Sequence, residues 1–226
     1  MVRRRVVRRL DWMRGGADIE PDTEAAAPEL IPLFPLHTVL FPGAVLPLNI
    51  FEERYRVLVR ERLEFGVVLI RQGSEVGEGR AEDLYGVGTL ARLERVEALE
   101  DGRFSVLARG LRRFRLRSLE PGRPYPMGRV EAFPDPVGRA RPRLVALLER
   151  YLSAHGVQVT PQLSPEMGRS AVWLVGSVLQ VEPARRQELL ETGDPDLAEA
   201  MLTEELAKVA GLGRLGSFQP KPPSAN

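Results

Sequence analysis

From Leu30 to about Pro134 the apolar residues fall in short runs broken by Pro and Gly, among them Leu30 to Phe34, Val45 to Ile50 and Gly66 to Ile70. Runs this short, with β-branched content and turn residues between them, predict strands. Glu52 to Leu63 differs, because Tyr55, Leu58, Val59 and Leu63 recur at helical spacing with charges between them. That spacing predicts one amphipathic helix packed on a sheet. Asp101-Gly102 suits the left-handed dihedrals of a tight hairpin turn. Before it Val87, Thr89, Ala91 and Leu93 alternate inward, and Val96 and Ala98 continue on the opposite parity, which predicts a β-bulge or a bend. After the turn Phe104, Val106 and Ala108 alternate. Beyond Gly110, Phe114 and Leu116 point inward while Arg113, Arg115 and Arg117 point outward. Successive bent strands of this kind predict a small, mostly antiparallel sheet curling into a barrel.

Helical periodicity governs the rest. Leu144, Leu147, Leu148, Tyr151 and Leu152 form a stripe that His155-Gly156 ends. Ser164-Pro165-Glu166 opens the next helix with an N-cap hydroxyl and a first-turn proline. Val172 to Val181 is apolar on nearly every side and is expected to be central. Pro183 starts a short helix with Leu189 and Leu190, stopped by Gly193. Asp194-Pro195 caps a last helix carrying Leu197, Met201, Leu202, Leu206 and Val209. Four helices with short links predict a bundle. Residues 1–28, with five arginines among the first nine and an acidic, alanine-rich stretch behind them, cannot bury enough apolar area to offset ordering. They read as an arm for nucleic acid or anionic lipid, or as an upstream extension with Met13 as the start. The expected organisation is α+β: an arm over 1–28, a β-rich subdomain over 29–135, a helical bundle over 136–213 and a disordered tail over 214–226.

Composition then narrows the chemistry. The 226 residues carry 32 Lys+Arg against 31 Asp+Glu, and 43% are apolar, which is enough for a substantial core. There is no cysteine, and His37 and His155 are the only histidines. This excludes a disulfide scaffold, a thiolate zinc site and a cysteine nucleophile, and leaves multi-histidine metal binding without ligands. The only lysines are Lys208 and Lys221, neither in a setting that would desolvate the amine for Ser-Lys catalysis. No serine sits in a Gly-x-Ser-x-Gly elbow and no Gly-Lys-Ser/Thr phosphate loop is present. Gly211-Leu-Gly-Arg-Leu-Gly216 has the letters of a dinucleotide-binding turn, but it follows a helix instead of joining a strand to one, so it reads as a helix terminator. No catalytic residue, cofactor site or metal site is expected. With no apolar span near ~20 residues and no secretory h-region, no membrane association and a cytoplasmic location are expected.

One surface is a candidate for binding. Arg113, Arg115 and Arg117 alternate along one strand, so their guanidinium groups would be spaced by roughly 6.6 Å, near the step of a phosphate backbone. Arg109 and Arg112 lie close by. Glu94, Glu97 and Glu100 on the preceding strands are competing partners, and the aromatic residues that accompany single-strand binding are absent, because Phe114 points inward; a solvated ion-pair face is the expected reading, with a nucleic-acid surface the alternative.

Ile31-Pro-Leu-Phe-Pro-Leu-His-Thr-Val-Leu-Phe-Pro-Gly43 and Leu46-Pro-Leu-Asn-Ile-Phe-Glu-Glu-Arg-Tyr55 together resemble the opening of the N-terminal substrate-binding domain of Lon proteases. Later blocks agree in order: Phe65-Gly-Val-Val-Leu-Ile70, Gly86-Val-Gly-Thr-Leu-Ala91, Asp101-Gly-Arg-Phe104, Gly110 with Arg113-Phe114, Pro124-Tyr125, Gln187-Glu-Leu-Leu-Glu191 and Asp194 to Glu205. The resemblance implies a PUA-like β pseudo-barrel with one helix, followed by a helical bundle. It also implies recognition of unfolded or damaged polypeptide; a protease or chaperone partner is the alternative expectation. A full Lon continues into an ATPase with a Walker A loop and a peptidase with a Ser-Lys pair. Neither is in this sequence, so the resemblance is to stand-alone Lon-domain proteins and no proteolytic activity is expected.

Within these blocks Pro32, Pro35, Pro42 and Pro47 are expected to fix an extended edge and its turns. Phe34, Phe41, Phe51 and Phe65 are expected in the core, with Gly43, Gly110 and Phe114 structural. Glu52 suits the positive end of the helix dipole, Arg54 a neighbouring carboxylate or carbonyl, and Tyr55 a place beneath the helix. The client surface is expected to be an exposed apolar patch or groove.

Overall fold

Two prolines within one strand show how the sheet is wired. In this computed structural model, which describes residues 28–71, 81–120, 124–135, 141–157 and 171–215, β1 (Glu29–Leu36) changes partner halfway along. It pairs antiparallel with β6 (Met127–Ala132) as far as Pro32, then parallel with β3 (Glu64–Ile70) from Leu33 onward. Backbone groups of successive strand residues point to opposite sides, and the Leu33 amide donates to the Pro126 carbonyl on the β6 side. The Pro32 nitrogen therefore points to the β3 side before that pairing begins, and the Pro35 nitrogen to the β6 side after that pairing has ended. Neither proline removes a ladder bond.

The remaining strands are β2 (Val45–Ile50), β4 (Leu84–Ala98) and β5 (Phe104–Glu120). The sheet order is β2-β5-β4-β3-β1-β6, and β6 returns to pair with the far half of β5. Five strands thus close a barrel, while β2 lies outside the ring on the near half of β5. The parity change between Leu93 and Val96 is a bulge, where the β4–β5 register shifts at Leu93/Arg95. Gly102 turns the hairpin at φ 80°.

Helix α1 (Glu53–Glu61) covers one face of the sheet, burying Tyr55, Leu58 and Val59 against Phe34, Ile50, Phe65, Val106 and Ala108. A second cluster, Ile31, Leu33, Leu90, Phe114 and Val130, lies on the opposite face of the sheet, because Leu33 and Leu90 alternate with Phe34 and Ala91 of the first. Gly88 belongs there because the Phe114 ring and the Val67 carbonyl occupy the space a Cβ would need. The helix stops two residues short of the expected stripe. Arg62 adopts an extended backbone to enter β3, so Leu63 turns outward and is 63% exposed.

A contact boundary falls between Asp135 and Pro136. The unit beyond it contains α2 (Pro142–Ala154), α3 (Ala171–Val178), α4 (Pro183–Thr192) and α5 (Pro195–Leu215). Helix α3 touches the other three, in line with its all-round apolar surface. Gly156 and Gly193 take left-handed conformations at helix ends, and the Asp194 carboxylate accepts from the Asp196 amide at 2.9 Å to cap α5. Helix α5 runs through Leu215, so Gly211 and Gly213 lie within the helix and do not terminate it. The expected arm, the Ser164 cap and the tail from Gly216 lie outside the described residues. Among the described residues no helix is long and apolar enough to cross a membrane.

Candidate functional site

The residues that open α1 form a column from core to surface. Phe34 stacks on Tyr55 at 4.0 Å between ring centroids, and the Arg54 guanidinium lies over the outer face of Tyr55 at 4.7 Å. Arg54 Nε donates to the Glu52 carboxylate at 2.9 Å. Glu52 is the N-cap residue but makes no side-chain bond to the helix amides, so its carboxylate serves Arg54. Phe41 is fully buried, and Pro42-Gly43 turns the chain behind it with Gly43 at φ 80°. The Gly43 amide donates to the Gly110 carbonyl, and the Phe41 carbonyl rests directly over Gly110, where a Cβ would collide with it. Buried Thr89 fixes the same loop by donating from Oγ1 to the Leu40 carbonyl at 2.6 Å.

Phe51 corrects the expectation of a core role, since it is 65% exposed. Ile50 takes the inward position at the end of β2, and alternation turns Phe51 outward. The fourth helical residue, where an apolar side chain would receive a residue preceding the cap, is Arg56. Phe51 is therefore a large, mostly exposed apolar side chain at a strand-to-helix junction.

The arginine row is corrected too. Arg113, Arg115 and Arg117 do not form one solvated line, because the Arg113 side chain is only 2% exposed and Arg117 sits at the register shift between Leu116 and Ser118. Arg113 donates to the Pro134 carbonyl and, from Nε, to Asp135 at 3.0 Å. Its guanidinium and that of Arg115 both lie on the Phe133 ring, at 4.4 and 4.6 Å. Arg117 pairs with Glu131 at 2.6 Å. The partners thus come from β6 and the segment after it, while Glu94 pairs with Arg109 and not with this row. Burial draws the Arg113 pKa below its ordinary value, with Asp135 acting in the opposite sense. The Arg117 hydrogen bond holds the Glu131 carboxyl below its ordinary range.

Strand β2 presents a different surface. From Leu30 to Phe51 the chain has no Asp, Glu, Lys or Arg, although 28% of all residues are charged. Val45, Pro47 and Asn49 are exposed on alternate positions of β2, and Phe51 continues the row. Among the described residues no strand pairs with the other edge of β2. The sequence supplied two signals for this site, the long uncharged stretch and the alternation through Phe51.

A closed barrel with one helix packed on its sheet and a strand added outside the ring, followed by a helical unit, makes this an α+β protein with a PUA-like pseudo-barrel. Residues 30–208 match the ATP-dependent protease La (LON) substrate-binding domain, and the chain belongs to that family. Lon protease 2 of Myxococcus xanthus is 31% identical over 156 residues, covering 67% of this chain and 18% of its own length. The Lon protease of Koribacter versatilis is 29% identical over 206 residues, covering 84% of this chain and 25% of its own. The chain spans about a fifth of the length of the curated relatives it matches. Among solved structures, a Lon N-terminal domain protein from Xanthomonas campestris superposes with a TM-score of 0.57 at 31% identity, covering 79% of this chain and 98% of that one. The N-terminal domain of the Lon protease of the Mycobacterium avium complex shares the fold, with a TM-score of 0.50 at 16% identity over 78% of this chain and 97% of that one.

Proposed function

We propose that this chain is a polypeptide-recognition module that selects unfolded or damaged clients and performs no chemistry of its own. It acts in cytoplasmic protein quality control, alone or as an adaptor for a protease or chaperone. The observation that carries this reading is the family match over residues 30–208, a substrate-binding domain by description. The uncharged, partly apolar row on β2 supports it, because a surface of that kind suits segments that native proteins bury. The rival reading, an RNA surface on Arg113, Arg115 and Arg117, gains nothing from the geometry, since Arg113 is buried and Arg117 is neutralised by Glu131.

Fluorescence anisotropy with labelled α-lactalbumin tests the proposal directly. The reduced, carboxymethylated and therefore unfolded form is expected to bind saturably and the native form not to bind, with no ATP or peptide hydrolysis by the protein alone. Equal affinity for the two forms, or for neither, contradicts it.

A further inference from the structure

Strand β2 combines an outward side-chain row with a backbone edge that no strand among the described residues pairs with, and the same residues supply both. Pro47 lies opposite Leu107 in the antiparallel pairing with β5. Having no N–H, it fits a position whose backbone groups point away from β5. The adjoining bonds fix the parity independently: Gly110 donates its amide to Ala44, so Ala44, Leu46, Leu48 and Ile50 are the residues that exchange bonds with β5. The backbone groups of Val45, Pro47 and Asn49 therefore point to the free edge.

We propose that an unfolded client docks on this edge as an added, uncharged extended strand. The inference rests on the polypeptide-recognition reading above and names its mode. Main-chain groups are the same in every sequence, so pairing through them fits clients that share unfolding but no motif. Val45 and Asn49 each offer a donor and an acceptor, and Pro47 an acceptor. Charge complementarity identifies the occupant. Exposed edges are commonly guarded by lysine or other charges, whereas this one has none from Leu30 through Phe51. The guanidinium opposite Val45, Arg109, is already engaged by Glu94 and the Gly43 carbonyl, so this strand offers an uncharged segment no penalty and a charged one no counter-ion of its own. Val45, 44% exposed, and Phe51 flank the edge and receive alternate apolar side chains of the client. Pro47 withdraws the middle donor, which weakens edge-to-edge pairing of two copies along the full strand.

The test uses the full chain and the unfolded, carboxymethylated α-lactalbumin as probe. Asn49→Pro removes an edge-facing N–H and no bond to β5, and is expected to weaken binding at least about tenfold, the loss of a main-chain bond in a desolvated contact. Asn49→Ala retains the amide and is expected to bind like the parent protein. In the parent protein, saturating probe is expected to slow hydrogen exchange of the Val45 and Asn49 amides at least about tenfold, a readout that needs no variant to fold. Parent binding with unchanged exchange at both amides overturns the edge assignment and leaves the recognition reading standing. Failure of the parent protein to bind the probe overturns the recognition reading itself.

Discussion

The wall formed by β5 and β6 and the edge strand β2 meet solvent in opposite ways. On the wall, Arg117 is matched by Glu131, Arg129 by Glu120, and Arg113 by Asp135 and a carbonyl, with Phe133 under two guanidinium groups. On β2 there is no charge to match, and Val45, Pro47, Asn49 and Phe51 remain exposed. The wall is rich in charge that is spent within the molecule. The edge is poor in charge, and among the described residues no strand completes its backbone bonding. A basic row in a sequence is thus a weak indicator of a binding face when acidic partners return to it, whereas an uncharged edge retains its capacity to bind.

Substitutions on the two surfaces separate these roles. The largest effect is expected inside the barrel, where Phe114→Ala empties the space between Gly66 and Gly88. It should cost about 3–5 kcal/mol in urea denaturation. Phe51→Ala should stay within about 0.5 kcal/mol of the parent protein while weakening unfolded-client binding several-fold. A stability loss at Phe51 as large as at Phe114 would erase the distinction between edge and core. On the wall, Arg113→Met removes a donor to the Pro134 carbonyl and to Asp135 and should cost about 2–3 kcal/mol by the same measurement. Arg117→Ala, at an exposed pair, should leave the urea midpoint close to that of the parent protein.

Acid sharpens the comparison further. Glu131 has its folded pKa depressed by Arg117, so this pair's contribution is full above the ordinary glutamate value of about 4.5 and is lost as pH falls through the depressed one. Asp101, held down by Arg103, behaves in the same sense. Because the pair is exposed, its share of the acid loss should be small, so Glu131→Gln should lose slightly less stability than the parent protein as pH falls through that window at low salt; a larger loss in the variant contradicts the assignment. The smallest effect is expected for nucleic acid. Single-stranded RNA should bind weakly with a shallow salt dependence that Arg115→Ala leaves unchanged, and a steep slope lost in that variant would restore the basic row as a binding face.

Much of the fold was legible because its signals are local. The parity change between Leu93 and Val96 encodes a bulge, Gly193 and Asp194 encode a helix end and start, and the glycine of Asp101-Gly102 encodes a hairpin. What escaped depends on contacts distant in sequence. The burial of Arg113 is decided by Phe133, Pro134 and Asp135, which follow β6 and return to β5 only because the barrel closes. The Phe51 position was misread because its direction depends on where β2 ends and α1 begins, a matter of one residue in register. The candidate site was half legible: its uncharged stretch is plain in the sequence, but that β2 is the strand left outside the ring follows only from the topology.

The most direct test of the account is residue-resolved hydrogen exchange of the full chain with and without saturating unfolded α-lactalbumin. The account predicts that new protection appears at Val45 and Asn49, with little change at Arg115 and Arg117 on the β5–β6 wall. Protection confined to the wall, with Val45 and Asn49 unchanged, would contradict it.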